Sequence, residues 1–498
     1  MKLTNEGLKN RSEWEARGYS LPKYDREKIT ANTKENPVWI HFGAGNIFRA
    51  FQANVVEELL NNCEMNTGLI VAEGYDYEIV EKYNRPCDNL SILATLKADG
   101  TVDKKVVGSI VESCILDEEN EKEIERLREI FRAPSLQMVS FTITEKGYKT
   151  RAYMDKVVGL ILERFKAGAL PISIVSMDNC SHNGDKLKEA VVEIAKEWFN
   201  DGKCDNDFVN YITNPSVVAF PLTMIDKITP RPDDTVKEML IADGVEGAEP
   251  IVTSKNTYVA NFVNAEETEY LVIEDLFPNG RPALEKGGII FTDRETVDKT
   301  EKMKVCTCLN PLHTALAIFG CLLGYETIHD EMDDEALKKL VTILGKEEGM
   351  KVVVDPKVLS PEKFLDSVLT KRLPNPFMPD TPQRIACDTS QKLPIRFGET
   401  IKAYRGSSSL NTDNLKVVPL VLAGYLRYLE GIDDEGKAFT QSPDPLLDEL
   451  KQLPAKDVLK RKDVFGVDLY EDTMGKRILE VYSKMKGPGN VRKELEAV

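Results

Sequence analysis

Hydrophobic and polar residues near the N-terminus follow first a strand pattern, then a helical one, then a strand pattern again. Residues 37–42 (PVWIHF) form a short apolar run, which predicts a buried strand, and GAGN follows at 43–46 as a tight turn. Apolar side chains then recur at helical spacing over residues 47–60, and residues 67–74 (TGLIVAEG) are again β-prone. This succession predicts a βαβ unit.

The alternation continues as far as residue 199. Asp99-Gly100 lies between two β-prone runs and predicts a hairpin over residues 92–116. Strands alternating with helices indicate a largely parallel sheet with helices on both faces, which is a Rossmann-type, doubly wound α/β fold. The predicted strands are 136–144 and 171–177, and the predicted helices are 120–132, 152–167 and 186–199.

The pattern changes near residue 290. GIIFT at 288–292 is the last run with strand character, and the apolar spacing is helical from there on. We therefore predict two domains, a dinucleotide-binding α/β domain at residues 1–290 and a mainly α-helical substrate and catalytic domain at residues 291–498. Its helices are expected at 300–325, 335–344, 361–373, 414–429, 445–453 and 471–486.

Composition argues against several classes of protein. The 498 residues are 42% hydrophobic and 30% charged, as in an ordinary globular protein. A net charge of −17 repels phosphate backbones, so nucleic acid is not expected as a partner. No apolar run approaches the roughly 18 residues of a membrane span, and the polar N-terminus lacks the apolar core of a secretory signal. Nine scattered cysteines fit a reducing cytoplasm better than a disulfide framework.

The turn after the first strand has two of the three glycines of a dinucleotide-binding loop. Gly43 permits the tight turn, and Gly45 lets the backbone approach a pyrophosphate at the N-terminus of the next helix. Phe48 stands where the third glycine would be. An ordinary βα turn uses the same residues, but the order of strand, turn, helix and strand favours a dinucleotide.

A carboxylate roughly 20–30 residues after this loop is expected to meet the adenosine ribose. Glu73 ends the second strand, and Asp76 follows three residues later. An acid at this place repels the extra phosphate of NADP, so NAD is the expected cofactor. The alternative for either acid is a solvated loop position.

Only four histidines are available for chemistry. His41 lies inside the first strand and is expected to be structural, whereas His329 lies in an acidic loop and is expected to be solvated. His182 belongs to the cluster SMDNCSHNG at 176–184, which follows a predicted strand. Open α/β sheets bind ligands at this edge, although the same residue types are common helix caps.

His313 belongs to a second cluster, at the start of an apolar helix. Asn310 and His313 are three residues apart and therefore share a face. A polar pair on an apolar helix needs partners, so the pair is either catalytic or a satisfied core contact. Cys306 and Cys308 are expected in the helix core, because no second cysteine pair lies nearby to complete a zinc site.

Six segments in the same order give most of the chain a resemblance to the polyol-specific long-chain dehydrogenase family. Members of that family act on mannitol, fructuronate or tagaturonate. The segments are HFGAGNIFRAFQA (41–53), TITEKGY (142–148), SMDNCSHNGDKL (176–187), MIDKITP (224–230), NPLHTALA (310–317) and QRIACDTSQKLPIR (383–396).

The resemblance implies an NAD-dependent dehydrogenase that uses no metal. It implies Lys304 as the base and His313 as the residue that orients the substrate, and an oxyanion hole would come from Asn310 and Asn183. The implied substrate contacts are Asp226, Arg384, Lys392, Arg396 and Asn179. The implied cofactor contacts are Phe42, Gly43, Ala44, Gly45, Asn46, Ile47, Phe48, Arg49, Glu73, Asp76, Thr144 and Glu145.

The spacing departs from the family at one place. The family usually has five positions from the lysine to the asparagine, whereas Lys304 and Asn310 are six apart. Either the helix carries a one-residue bulge, a feature that occurs at functional sites, or Lys302 is the base. The remaining alternative is that both lysines are surface charges.

The chemistry of an alcohol dehydrogenase is consistent with these residue types. A free lysine has a pKa of about 10.4 and is a poor base at neutral pH, so a lysine base needs burial or neighbouring cations. Asparagine amides stabilise a developing alkoxide without adding charge. The nicotinamide carries out the redox step.

Basic residues in an acidic protein indicate an anionic substrate. Arg384, Lys392 and Arg396 lie close together, and SQKLPIR (390–396) is more similar to the uronate-reducing members than to the mannitol enzymes. We therefore expect D-fructuronate and D-mannonate to be interconverted. The alternatives are mannitol or another neutral polyol with Arg396 pointing to solvent, tagaturonate, and a non-catalytic NAD-binding regulator. The oligomeric state stays open, a monomer included.

Overall fold

The computed structural model describes all residues, Met1–Val498, which divide into two compact units. The N-terminal unit comprises Met1–Lys97 and Thr101–Asp298, and the C-terminal unit comprises Ala98–Gly100 and Lys299–Val498. The structure divides the chain after Asp298, whereas the boundary expected from the sequence was residue 290.

The N-terminal unit holds all the strands, which form four sheets. In chain order the strands are β1 (Tyr19–Ser20), β2 (Trp39–Phe42), β3 (Leu69–Glu73), β4 (Ser91–Leu96), β5 (Val102–Val107), β6 (Ile110–Ile115), β7 (Met138–Phe141), β8 (Ile172–Ser176), β9 (Val218–Ala219), β10 (Thr223–Asp226), β11 (Ile251–Val252), β12 (Tyr258–Val259), β13 (Phe262–Glu266), β14 (Tyr270–Glu274) and β15 (Ile290–Thr292).

The main sheet is parallel, with the strand order β6-β3-β2-β7-β8-β9. Ile40 and Phe42 of β2 join one hydrophobic core, whereas Trp39 of the same strand joins the other. Helices therefore bury both faces, which confirms the predicted doubly wound fold. The helices of this unit are α1 (Arg11–Ala16), α2 (Arg26–Glu35), α3 (Ala53–Asn61), α4 (Glu121–Arg132), α5 (Thr144–Tyr148), α6 (Arg151–Lys166), α7 (Asn183–Asn200), α8 (Asn206–Thr213) and α9 (Asp234–Ala242).

The predicted hairpin over residues 92–116 is only partly correct. Strands β4 and β5 pair antiparallel, as predicted from Asp99-Gly100. Strand β6 pairs parallel with β3 and so belongs to the main sheet. The smaller sheets β1-β5-β4-β13, β10-β14-β15 and β11-β12 include strands after residue 217 that the sequence pattern did not reveal, because several are only two residues long.

The C-terminal unit is built from helices. Helix α10 (Arg294–Met303) spans the division, and the helices beyond it are α11 (Asn310–Leu323), α12 (Ile328–Met332), α13 (Glu335–Thr342), α14 (Pro361–Ser367), α15 (Pro382–Ile385), α16 (Thr389–Leu393), α17 (Glu399–Gly406), α18 (Val417–Leu429), α19 (Leu447–Leu450), α20 (Ala455–Val458), α21 (Lys462–Phe465), α22 (Met474–Lys484) and α23 (Asn490–Glu496).

Helices α11 and α18 form the centre of this unit. Every residue of α18 is buried, and α11 packs against it. A side chain at Gly424 would meet the ring of Phe319 at 3.1 Å, so the glycine lets the two helices approach closely. The helical stretch Arg294–Leu323 is long and apolar enough to cross a membrane, but most of it is buried inside the protein, as in a core helix.

Four π-helical turns interrupt the helices of the C-terminal unit. They are Lys304–Cys308, Ile343–Gly349, Val368–Arg372 and Pro394–Gly398. The first of them packs against the second and the fourth. A side chain at Gly349 would meet Thr307 at 2.8 Å, which shows how closely two of these turns approach.

Candidate active site

The glycine turn at the end of β2 has the geometry that a dinucleotide requires. Gly43 has a φ of +108°, and a side chain there would meet the Thr142 carbonyl oxygen at 2.7 Å. Glycine is therefore needed for the turn. No atom lies within 4 Å of the position that a Gly45 side chain would occupy, so the backbone is open to a ligand. A π-helical turn, Phe48–Gln52, then leads into α3.

Glu73, at the end of β3, is tied to this loop. Its carboxylate accepts N–H bonds from Ala44 (2.8 Å), Tyr75 (2.9 Å) and Asp76 (3.1 Å). Burial raises the pKa of the Glu73 carboxyl, and these N–H donors counter part of that rise. A carboxylate has about four acceptor positions, so one remains for a ribose hydroxyl. Because Glu73 is buried, the alternative that it is a solvated loop residue does not fit.

Asp76 is buried, and its position does not fit the predicted ribose contact. One of its carboxylate oxygens accepts a hydrogen bond from the Thr253 hydroxyl at 2.6 Å. The other is buried without a hydrogen-bond partner. Because neither oxygen faces solvent, Asp76 fastens the β11–β12 hairpin to the loop that follows β3.

The side chains of Phe48 and Arg49 lie beneath the loop instead of facing a cofactor, which corrects their predicted contact. Phe48 stacks on His41 with ring centroids 3.8 Å apart. The Arg49 guanidinium donates to the Ala260 carbonyl at 2.9 Å, and burial lowers its pKa to about 10. His41 is buried, as expected for a structural histidine. Its ring nitrogens lie 2.6 Å from the Ser140 hydroxyl in β7 and 2.8 Å from the Thr142 hydroxyl directly after that strand.

Asp178, which the sequence analysis did not assign a role, joins the ends of β7 and β8. Its carboxylate accepts N–H bonds from Thr144 (2.8 Å) and Ile143 (3.2 Å) and a hydrogen bond from the Tyr148 hydroxyl. Thr144 has a φ of +65°, which is strained for a β-branched residue, and Asp178 stabilises this conformation. Glu145, the next residue, pairs with Lys149 and Lys186 instead of pointing at the loop.

Asn183 and Asn179, which belong to the same motif, differ in burial. The Asn183 amide is fully buried and donates to Asp178 O (2.9 Å) and to Thr223 Oγ1 (2.8 Å). Its oxygen accepts N–H bonds from Gly184 (2.7 Å) and Thr223 (3.1 Å). The predicted oxyanion contact from Asn183 therefore does not fit, because its donors are already used. Asn179 is exposed at the carboxyl end of β8.

Asp226 and His182, two further polar residues singled out from the sequence of this unit, differ in exposure. Asp226 is buried at the end of β10. His182 has a φ of +52° and an exposed imidazole, which lies 3.5 Å from Asp185 and 3.8 Å from Asp298. His182 is therefore a surface residue and not part of the hydrophobic core.

The one-residue bulge that the spacing predicted is present in the C-terminal unit. The Leu309 amide donates to the Lys304 carbonyl, five residues earlier, at 3.1 Å, and closes the π-helical turn Lys304–Cys308. The turn adds one residue, so Lys304 keeps the orientation toward Asn310 that five residues of regular helix would give. Lys304 is 5% exposed, whereas Lys302 is exposed. Asn310 and His313 are both half-buried in the first turn of α11.

Arg396 lies against this first turn of α11 and not in solvent. Its Nη1 donates to the Thr314 hydroxyl at 2.6 Å and, more weakly, to the Asn310 carbonyl at 3.5 Å. Burial lowers the pKa of the Arg396 guanidinium to about 10. No carboxylate pairs with it. A half-buried guanidinium with only neutral partners is ready to bind an anion.

The other two basic residues of this segment are less available. The Lys392 ammonium donates to the carbonyls of Ile385 (3.1 Å) and Cys387, and its pKa is lowered by burial and by the nearby charge of Arg396. Arg384 forms an ion pair with Asp380, and 64% of its side chain is exposed. The predicted sugar contact by Arg384 therefore does not fit, since the ion pair with Asp380 already uses its charge.

The family of the chain is evident from its similarity to known proteins. Residues 38–286 match the mannitol dehydrogenase Rossmann domain, and residues 296–486 match the mannitol dehydrogenase C-terminal domain. D-mannonate oxidoreductase of Thermotoga maritima is 50% identical over 100% of this chain and 99% of its own length. Mannitol 2-dehydrogenase of Pyrenophora tritici-repentis is 28% identical over 95% of this chain and 81% of its own length.

Solved structures share the fold. D-sorbitol dehydrogenase in substrate-free form superposes with a TM-score of 0.79 at 24% identity, covering 96% of this chain and 97% of the other. The ternary complex of Pseudomonas fluorescens mannitol 2-dehydrogenase with NAD and D-mannitol superposes with a TM-score of 0.70 at 23% identity, covering 100% and 99%.

Proposed function

The chain belongs to the mannitol dehydrogenase family, and on that premise we propose that it is an NAD-dependent oxidoreductase that interconverts D-fructuronate and D-mannonate. The relative that is 50% identical over the whole chain carries the name D-mannonate oxidoreductase. Relatives named mannitol 2-dehydrogenase are less similar, at 28% identity or below.

The observation that carries the substrate assignment is the guanidinium of Arg396. It is half-buried, bonded only to neutral oxygens, and lies beside Asn310. A hexuronate carboxylate would provide the missing negative charge and could accept two parallel N–H bonds. A neutral ketose offers no such group, so the burial of this cation would bring no benefit in a mannitol enzyme.

We assign proton transfer to Lys304 and oxygen binding to Asn310. Protonated Lys304 delivers its proton to the carbonyl oxygen during reduction, and neutral Lys304 accepts the hydroxyl proton during oxidation. Asn310 begins α11 directly after the π-helical turn, so its amide can donate to the same oxygen. His313, one turn further along α11, orients the hydroxyl groups of the sugar chain.

On the N-terminal unit we assign a substrate contact to Asn179. This side chain is exposed at the carboxyl end of β8, the edge at which open α/β sheets bind ligands. Asn183 is a positioning residue that holds the β8 end to Thr223. Asp226 would accept a hydroxyl from the sugar chain.

The N-terminal unit fits a dinucleotide because its glycine loop leaves the space that a pyrophosphate needs. Gly45 and the N–H groups that follow it would hold the phosphates, and Glu73 would accept a ribose hydroxyl. When bound, the nicotinamide exchanges a hydride with the substrate carbon.

We also propose that residues 1–290 bind the cofactor, that residues 291–498 carry the acid–base and carboxylate-binding groups, and that the enzyme acts in the cytoplasm. All nine cysteines are free thiols, which fits a reducing compartment.

The experiment that tests this function follows the loss of NADH absorbance with D-fructuronate, D-tagaturonate and D-fructose at matched concentrations. The proposal predicts turnover of D-fructuronate with a kcat/KM at least about 30-fold above that for D-fructose, because binding the carboxylate contributes about 2 kcal/mol or more. Preference for D-fructose would overturn the substrate class. Preference for D-tagaturonate would keep the proposal that the substrate carries a carboxylate and would change its assigned stereochemistry.

A further inference from the structure

The π-helical turn that begins at Lys304 is confined by a second π-helical turn. The turns Lys304–Cys308 and Ile343–Gly349 pack against each other, and Thr307 is buried where they meet. Thr307 is three residues from Lys304 and three residues from Asn310. It therefore belongs to the segment that sets the distance between the proposed acid–base lysine and the proposed oxygen-binding amide.

Gly349 is the residue that permits this close packing. A side chain at position 349 would lie 2.8 Å from the Thr307 methyl group and 3.1 Å from the Leu344 carbonyl oxygen. The backbone of Gly349 is not in the left-handed region, so alanine would adopt its conformation without strain. The contact with Thr307, and not the backbone conformation, is therefore the reason for a glycine at this position.

Glu348, the neighbour of Gly349, fixes the second turn in place. Its carboxylate is buried and accepts the first N–H groups of α18, from Val417 (2.8 Å), Val418 (3.0 Å) and Lys416. These amides have no partner within the helix, and a carboxylate beside them also interacts favourably with the helix dipole. The Tyr404 hydroxyl of α17 donates to the Glu348 carbonyl at 3.0 Å. The second turn is thus bonded to two helices and forms a rigid wall beside Thr307.

We propose that Gly349 and Thr307 are positioning residues, and that their contact holds Lys304 and Asn310 at the spacing that proton transfer to the substrate oxygen requires. Neither residue touches the substrate in this role. A displacement of about 1 Å at a reacting group can lower a rate about 100-fold, so a packing contact three residues away is close enough to matter. The inference rests on the proposed function only for the acid–base role of Lys304, and it adds what keeps the bulge of that helix in position.

Gly349→Ala tests the contact directly. The added methyl group overlaps the Thr307 methyl group, so the turn that carries Lys304 must shift. We expect kcat for D-fructuronate reduction to fall about tenfold or more, with a change of less than about threefold in KM and in the dissociation constant of NADH. The glycine loop belongs to the other unit, and Arg396 is held by Thr314, outside the shifted turn.

Thr307→Ser supplies the compensating change, because serine lacks the methyl group that the new side chain would meet. Alone it loosens the contact, and we expect kcat to fall about threefold. The double variant Gly349→Ala/Thr307→Ser restores the contact with the methyl group on the opposite side, so its kcat should exceed that of Gly349→Ala about threefold or more. The close approach to the Leu344 carbonyl remains, so recovery is incomplete. A double variant no faster than Gly349→Ala would overturn the inference.

A matched control is Gly345→Ala, in the same turn. A side chain at position 345 would meet Leu365 of α14 at 2.8 Å and 3.1 Å, so the crowding is similar but is directed away from Thr307. Both alanine variants should lower the melting temperature by similar amounts, since overpacking destabilises a core. Only Gly349→Ala should lower kcat, and Gly345→Ala should stay within about twofold of the wild type.

The outcomes separate this inference from the proposed function. Equal kcat in Gly349→Ala and the wild type, or an equal loss in Gly345→Ala, would overturn the inference and leave the function intact. If Gly349→Ala does not fold, Thr307→Ser decides, because it adds no atoms: unchanged kcat would overturn the inference. Unchanged turnover in Lys304→Ala, or a wild type without turnover, would instead overturn the assigned chemistry itself.

Discussion

Arg396 donates a hydrogen bond from Nη1 to the hydroxyl of Thr314 at 2.6 Å, which holds the guanidinium against the first turns of α11. Thr314 is buried and lies four residues after Asn310, so one helix positions both the oxygen-binding amide and the cation. The proposed anion-binding group is therefore held by the same helix as the proposed oxygen-binding amide, although it belongs to a different segment of the chain.

The Thr314 hydroxyl can be removed without removing any charge. Thr314→Val keeps the size of the side chain but leaves Arg396 unanchored. We expect KM for D-fructuronate to rise about tenfold, since a hydrogen bond to a charged group contributes about 1.5–3 kcal/mol, with a smaller change in kcat. Steady-state kinetics test this. Thr342→Val, which removes a hydroxyl bonded within α13 to Lys338, should leave both constants unchanged. An equal rise in KM for D-fructose would argue against a role of Thr314 in holding Arg396 for the substrate carboxylate.

Lys304 and Lys302 can be distinguished by alanine substitution. Lys304→Ala should lower kcat by about 10²–10⁴-fold, the usual contribution of a general acid or base. NADH binding should persist, because the glycine loop belongs to the other unit. Lys302→Ala should change turnover less than twofold, since that side chain is exposed. Loss of turnover in Lys302→Ala alone would move the acid–base role to Lys302, and unchanged turnover in both variants would favour a different base.

Asn179 and Asn183, both in the cluster at 176–184, should respond differently to substitution. Asn183→Ala leaves the buried amides of Gly184 and Thr223 without an acceptor, so it should cost about 2 kcal/mol or more of stability. Asn179→Ala should lower kcat/KM while the melting temperature stays within about 1 °C, because an exposed side chain adds little to stability. Thermal denaturation beside steady-state kinetics separates the two effects. A stable Asn183→Ala variant with low kcat would restore the oxyanion role of Asn183.

Glu331 makes the stability of the enzyme depend on pH. Its carboxyl is fully buried against Gly320 of α11, without a hydrogen bond to either oxygen. Burial raises the pKa of this carboxyl well above its usual range, and the charges of Asp334 and Asp330 raise it further. Because the folded state binds the proton more tightly, its stabilisation is complete below about pH 4.3 and is lost as pH rises toward the folded pKa.

Glu331→Gln removes this titration. The variant should match the wild type near pH 4.5 and be more stable at pH 8, with a gap that widens by up to about 1.4 kcal/mol per pH unit. Thermal melts at both pH values measure it, with the exposed Glu326→Gln as the control. An identical pH dependence in wild type and Glu331→Gln would contradict the account.

Local sequence patterns predicted the secondary structure near the cofactor loop, but they could not predict which side chains would pair with each other. The run at 37–42 and the glycines after it specify β2 and its turn, because backbone sterics at Gly43 leave few choices. The six-residue spacing from Lys304 to Asn310 left a one-residue bulge as one of two explanations, and the structure has a π-helical turn there. Spacing carries this information because helical geometry is periodic.

The misassigned residues have long-range partners. Asn183 is occupied by Thr223, forty residues away, and Asp76 by Thr253, on a hairpin that the pattern did not reveal. Arg384 is a local case: it pairs with Asp380, four residues earlier, although it lies in the same segment, 383–396, as Arg396. Which of two nearby arginines has a carboxylate partner depends on packing, so only the structure separates them.

The central claim, that Arg396 recognises the substrate carboxylate, is tested most directly by comparing kcat/KM for D-fructuronate in the wild type, Arg396→Ala and Arg384→Ala. We predict that Arg396→Ala loses about 30-fold or more, since removal of one partner of a buried charge pair costs about 2–5 kcal/mol. Arg384→Ala should stay within twofold, because the Arg384 side chain is 64% exposed and its charge is already paired with Asp380. Equal activity of Arg396→Ala and the wild type toward D-fructuronate would contradict the account.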